Sequence, residues 1–359
     1  MVQSLARCRV CGLPSKLAEG LEWSPGGIIL LRCAKPLRLV LLDEGTSRAI
    51  QQALEERLTW GACLIAETDA VRAAVSGVLT GLKDRLSRYG AFKKKTLEAL
   101  EEHSLLLGLG RMELEKYTPG QGGAMLLRRP FVLGMTTAVM AGVLGEMEHC
   151  SHESTLQDVG ENDFRLVLEA AEPGENQTHR PGDEDMRMVA GAYGEYRSRC
   201  RQCGLPAQVT GLRWDELYGS IQAGTGGRRV ALLPACLLDA FAYLEGGGQG
   251  EREGIVQDAV FRTTRAVLQG GSSDAYEGVD LLPVENAAGA LRDNAAMRGW
   301  GDVNMASLNG GDWRIEVVNP IDDALIAGWL RAIYTVAVGR EPRLSVDGEP
   351  PLRVFQLSS

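Results

Sequence analysis

CRVCGLP at residues 8–14 returns as CRQCGLP at residues 200–206, a little over half the chain later. Two scattered metal knuckles would leave their surroundings unrelated, whereas a duplication would carry the neighbours along. The neighbours are carried along. Leu21-Glu22-Trp23 and Gly26-Gly27-Ile28-Ile29 follow the first copy, and Leu212-Arg213-Trp214 and Gly219-Ser220-Ile221 follow the second. Next, Arg38-Leu39-Val40-Leu41-Leu42 matches Arg229-Val230-Ala231-Leu232-Leu233, and helical patterns ending at Gln51–Glu55 and Phe241–Glu245 come after. Ordered matches of this kind make the chain two copies of one unit.

Later segments keep the correspondence. Val71, Val75, Val78, Leu82 and Leu86 recur at spacings of three or four, one face of a helix, and Ile255 to Leu268 is the counterpart. Period-two alternation at Met112, Leu114, Met125 and Leu127, and at Trp313, Ile315 and Val317, predicts half-buried strands. Each half then closes with a helix and a strand. The helices, 137–144 and 323–330, share a mid-helix Ala-Gly that costs roughly 1 kcal/mol relative to Ala-Ala and so implies close packing. The strands are Asp163–Val167 and Leu352–Phe355. Asn319-Pro320 reads as the cap and first residue of the last helix. Residues 172–196, rich in Pro, Gly and acids, read as a linker. The expected architecture is α+β: two tandem copies, 1–171 and 197–359, each with an antiparallel sheet and packed helices, related by a pseudo-twofold axis.

Bulk properties exclude several function classes. The chain has 359 residues, enough for about two domains, and 45% are apolar. No run approaches the ~18 apolar residues of a membrane span, and MVQSLARCRVCG lacks the apolar core of a signal peptide. A soluble, cytoplasmic protein is therefore expected. A net charge of −9 argues against a nucleic-acid partner, and Lys93-Lys94-Lys95 reads as a solvated helix start. Nucleophile elbow, phosphate loop and H-E-x-x-H signatures are missing. Gly224–Gly227 reads as a hairpin turn and Gly246–Gly250 as a flexible connection.

The second half contains Arg298-Gly299-Trp300-Gly301, then Trp313-Arg314-Ile315-Glu316-Val317-Val318-Asn319, then Ile326-Ala327-Gly328-Trp329-Leu330. This order resembles the 4-vinyl-reductase domain family, which is related in fold to the haem-NO-binding-associated domain and to subunits of a vesicle-tethering complex. The resemblance covers most of residues 212–357 and, less clearly, 21–169, where Leu107-Gly108-Leu109-Gly110 replaces the tryptophan version. It implies a small-molecule-binding module for an aromatic or tetrapyrrole ligand, acting through a separate protein partner. Many members carry cysteines near the last strand. Here 160–164 and 348–352 have none, which leaves the opening heptapeptides as the metal candidates.

Eight cysteines are too few for a disulfide scaffold in so long a chain, and two CxxC pairs point to metal or redox chemistry. Each pair offers two thiolates, half of a tetrahedral zinc site. If the halves converge, Cys8, Cys11, Cys200 and Cys203 complete one. An iron–sulfur cluster, two redox dithiols and independent sites completed by other residues are the alternatives. His149-Cys150-Ser151-His152-Glu153 is a second candidate ligand group, set against a helix end running into a turn. Cys33, Cys63 and Cys236 read as core packing. Trp300, Trp313, Trp329 and Tyr334 are the candidate ligand contacts, with ordinary core packing as the competing reading. Two functions follow: a non-catalytic carrier or sensor of a small apolar or planar ligand with a four-cysteine zinc site, or a component of a reductive pathway carrying an iron–sulfur cluster.

Overall fold

The structure is a computed structural model describing residues 5–24, 26–33, 35–79, 90–171, 199–224, 227–240, 249–269, 284–309 and 311–359. The linker at 172–196, the helical pattern at 241–245 and most of the connection at 246–250 lie outside these residues, as do Leu82 and Leu86.

Strands β1 (Leu21–Ser24), β2 (Ile28–Leu31) and β3 (Leu37–Asp43) form an antiparallel meander. Strands β8 (Leu212–Asp215), β9 (Ser220–Ala223) and β10 (Arg228–Pro234) form another; β9 and β10 pair antiparallel on either side of Gly224–Gly227, of which residues 225–226 lie outside the described residues. The two meanders join through β3 and β10 into one six-stranded sheet of order β1-β2-β3-β10-β9-β8. Leu41 lies opposite Leu232, the residue that matches it between the halves. The buried central segments Leu39–Leu42 and Val230–Leu233 are apolar throughout because both faces are covered. Leu39, Leu41, Val230 and Leu232 face a smaller core, which also holds Leu13, Trp23, Leu205 and Trp214. Val40, Leu42, Ala231 and Leu233 face the larger one. Period-two geometry sends alternate residues to opposite faces.

Beyond each meander comes the same series of elements. In the first half these are α2 (Glu44–Glu55), α3 (Trp60–Leu79), α4 (Gly90–Leu107), β4 (Arg111–Thr118), β5 (Gly122–Arg128), α5 (Leu133–Glu148), β6 (His152–Gly160) and β7 (Asp163–Ala170), with α1 (Ser15–Gly20) ahead of the meander. The second half has α6 (Cys236–Asp239), α7 (Gln249–Gln269), α8 (Val284–Arg298), β11 (Asp302–Asn309), β12 (Asp312–Val318), α9 (Asp323–Val338), β13 (Arg343–Asp347) and β14 (Leu352–Ser358). Two antiparallel sheets result, β4-β5-β7-β6 and β11-β12-β14-β13. The class is α+β, as expected. Helix α5 packs on α3, and α9 on α7. A Cβ on Gly142 would lie 2.8 Å from the Val71 side chain, and one on Gly328 would lie 2.4 Å from the Gln257 carbonyl oxygen. The shared mid-helix glycine therefore permits the close helix approach.

The halves are interlocked rather than merely adjacent. The Gly301 N–H donates to the Gly27 carbonyl at 3.0 Å, and the matching Gly110 N–H donates to Gly219 at 2.9 Å. Trp23 Nε1 donates to the Met297 carbonyl, and Trp214 Nε1 to Leu106. Arg38 donates to the Asn319 carbonyl at 2.6 Å, and Arg229 to Arg129 at 2.8 Å. Each meander thus holds the later elements of the opposite half. Gly27 has φ +68°, and a Cβ there would stand 2.2 Å from the Gly301 carbonyl oxygen, so only glycine fits.

Two expectations need correction. Asn319 does not cap the last helix. Asp322 does, its carboxylate accepting from the Leu325 N–H at 2.7 Å, while Asn319 sits at φ +52° and turns its carbonyl to Arg38. Each half also has a strand unread in the sequence, β6 and β13, and His152 begins the first of them. On β6 the half-buried positions are His152, Ser154 and Leu156, so no apolar alternation marks it, whereas β13 alternates only Leu344 and Val346 with polar residues over five positions.

Candidate metal centre

Both heptapeptides fold into the same tight turn. Cys8 N–H donates to the Leu13 carbonyl at 2.8 Å and Gly12 N–H to the Cys8 carbonyl at 2.9 Å; Cys200, Leu205 and Gly204 repeat the pattern at the same distances. The glycines carry the positive φ that such a turn needs, +74° in each. Pro14 and Pro206 close the turns by bridging to Arg7 and Arg199. Leu13 and Leu205 are buried in the smaller core, which fixes both turns over the shared sheet.

This placement brings the cysteines together. Cys8 Sγ lies 3.7 Å from Cys200 Sγ, and Cys11 Sγ lies 3.5 Å from Cys203 Sγ. All four sulfurs fall within 4.8 Å of one another, a group that could hold a metal ion. Cys8 is buried and the other three are partly exposed. A tetrahedron with Zn–S bonds of about 2.3 Å has edges of about 3.8 Å, so the donor set fits a single ion. Backbone N–H groups of Cys203 and Gln202 pull the Cys200 thiol down to about 6, and those of Cys11 and Val10 lower Cys8. Burial instead pushes Cys11 up to about 12 and raises Cys203. Each turn thus pairs a thiol favouring the thiolate with one that a bound cation would have to deprotonate.

The arginine before each first cysteine is part of the construction. Arg199 donates to its own Gly204 carbonyl and to the Trp23 carbonyl of the opposite half, both at 2.8 Å. Arg7 donates to Gly12 and Trp214 in the same way and pairs with Glu216 at 2.6 Å. A heptapeptide counted from the cysteine omits these residues, although Arg7-Cys8 and Arg199-Cys200 extend the repeat by one position.

Other candidates are placed differently. Of the second ligand group, Cys150 Sγ and His152 Nε2 approach to 3.8 Å. His149 is the left-handed residue ending α5. Next to them, the buried Glu148 carboxylate accepts from Lys93 Nζ at 2.8 Å and from the Tyr117 hydroxyl, so Lys93 is an anchor rather than a solvated charge. Cys63 is fully buried in the larger core, whereas Cys33 and Cys236 are only partly covered. Trp300, Trp313, Trp329 and Tyr334 are buried and packed in pairs. Trp300 meets Trp329 edge-on at 5.5 Å between ring centres, and Trp313 meets Tyr334 at 4.9 Å. Trp300 Nε1 donates to the Leu41 carbonyl and the Tyr334 hydroxyl to Gly311, while the buried Trp329 Nε1 has no partner. A cavity of about 10 Å³ lies in the first half, under α4, lined by Leu97, Leu100, Met112, Leu114, Met125 and Met140 among others. That is room for roughly one water.

The first half also buries an acid that the sequence reading passed over. Glu67 on α3 is fully buried, neither carboxylate oxygen has a partner, and burial with the nearby Glu55 charge pushes it up to about 8.

Among the described residues no helix is long and apolar enough to cross a membrane. No known protein family and no curated protein matches the chain.

Proposed function

We propose that Cys8, Cys11, Cys200 and Cys203 hold one zinc ion as a structural fastening, in a protein that binds a small apolar or planar ligand without catalysing its conversion. The sulfur geometry carries the first part. A [4Fe–4S] cluster takes one cysteine per iron and a [2Fe–2S] cluster two per iron, which in either case spreads the four sulfurs over more than one tetrahedron; four sulfurs all within 4.8 Å of one another suit a single ion. Zinc would supply no redox chemistry here. It would neutralise the thiolates and tie the N-terminal turn to the turn that opens the second half.

The ligand-binding part rests on the resemblance to the 4-vinyl-reductase domain family; the water-sized cavity in the first half would admit a planar ligand only by re-packing of Met112, Met125 and Met140. In the second half, Trp300, Trp313, Trp329 and Tyr334 occupy one another's space, so a ligand there would have to part the rings.

Elemental analysis with native mass spectrometry of anaerobically purified protein tests the metal. One zinc per chain is expected, lost in Cys200→Ser. Iron with sulfide and a brown colour would favour the reductive-pathway reading, and a metal-free, fully folded protein would end the zinc reading. A panel of aromatic and tetrapyrrole compounds, read by tryptophan fluorescence, tests the ligand; no response across the panel would end that part.

A further inference from the structure

Cys8 Sγ lies 3.7 Å from Cys200 Sγ and Cys11 Sγ lies 3.5 Å from Cys203 Sγ, and both of these contacts run between the turns. Within each turn the first cysteine is committed to backbone bonds, its N–H to the leucine and its carbonyl to the glycine, which hold the turn open as a hairpin. A disulfide has an S–S length of about 2.05 Å, so each cross-turn pair must close by roughly 1.5 Å. Each pair also contains a partly exposed cysteine: Cys200 in one, and Cys11 and Cys203 in the other.

We propose that these four cysteines form a site of paired oxidation, in which a peroxide joins Cys8 to Cys200 and Cys11 to Cys203. In each pair an accessible thiolate attacks a peroxide oxygen, the O–O bond breaks, and a sulfenic acid and hydroxide form. The opposing sulfur then attacks the sulfenic sulfur, the S–O bond breaks, and hydroxide leaves. Two protons convert both hydroxides to water. Each disulfide thus consumes one peroxide, whose two electrons come from the two sulfurs. Oxidation of both pairs removes all four thiolates. On the zinc reading, which this part rests on, the unchanged Zn²⁺ is then released. The product replaces an ion bridge between the halves with two covalent ones.

Peptide mapping of the full-length protein tests the pairing. The protein is oxidised with two equivalents of hydrogen peroxide, with and without prior removal of metal by a chelator, then alkylated and digested with trypsin without reduction. Cleavage after Arg9 and Arg201 separates the two cysteines of each turn. VCGLPSK linked to QCGLPAQVTGLR is the expected product, and Cys11→Ser should retain the Cys8–Cys200 link. Disulfides confined within each turn, or sulfinic and sulfonic acids in place of disulfides, would overturn the proposal. A chromophoric chelator reports the ion: one zinc per chain should appear as the four thiols disappear. Correct pairing in a protein that never held metal would refute the zinc reading and leave the oxidation site standing.

Discussion

Glu67 makes the stability of this protein fall as pH rises, and Glu67→Gln isolates the effect. The side chain is fully buried with two unpartnered oxygens, and it titrates at about 8 against the usual 4.5. In the unfolded chain the group ionises at the ordinary value, while in the fold it stays protonated until pH nears 8. Between those values the unfolded state gives up a proton that the folded state keeps, so stability declines with pH and levels off above 8. At about 1.4 kcal/mol per unit, the loss between pH 5 and pH 7 is roughly 2–3 kcal/mol. Glutamine keeps the shape and cannot ionise. Urea unfolding of both proteins from pH 5 to 8.5 should therefore give a difference that grows in favour of Glu67→Gln by roughly 4 kcal/mol, flattening near pH 8. Subtraction cancels every titrating group other than Glu55 and Cys63, which interact with Glu67. A pH-independent difference would show that Glu67 meets water or a cation in the folded protein, and would refute the reasoning.

Two further outcomes follow from packing. Gly328→Ala would set a methyl 2.4 Å from the Gln257 carbonyl oxygen, where backbone must move; a loss of about 2–3 kcal/mol in thermal or urea unfolding is expected, and unchanged stability would contradict the close approach of α9 and α7. Arg252 and Asp322 form a buried ion pair at 2.9 Å, and Arg252 also reaches the Leu238 carbonyl. Arg252→Met should cost about 3–5 kcal/mol by stranding the carboxylate, and Asp322→Asn in the same background should cost far less than it does alone.

Much of this was legible because matched residues repeat the same signals in both parts of the chain. The Trp23 and Trp214 strands, the apolar central strands and the mid-helix glycines were read from matched residues, and the four cysteines were read from matched turns. What escaped lies where side chains carry no period or where partners are distant in sequence. Strand β6 begins His-Glu-Ser-Thr and sits at a sheet edge, so no apolar alternation marks it. Arg7, Arg38, Arg199 and Arg229 mostly bind backbone carbonyls of the opposite half, and a carbonyl leaves no mark in a sequence. Glu67 looks like any helical glutamate until α3 is packed into the core. The competing readings of Trp300, Trp313, Trp329 and Tyr334 could not be separated by spacing, because core and pocket walls use the same residues at the same intervals.

The pairing of β3 with β10 has a consequence for how the molecule is made. At ~5–20 residues per second, the ribosome completes β3 some ten to forty seconds before β10. During that interval the Leu39–Leu42 edge has no neighbour, Gly27 lacks Gly301, and Trp23 lacks the Met297 carbonyl. The first half therefore cannot reach its final form while it emerges, and it presents one unpaired edge of an apolar strand to the cell. Folding is delayed until synthesis of the second half, and a nascent chain halted before β10 is open to capture by the β10 of a neighbouring copy.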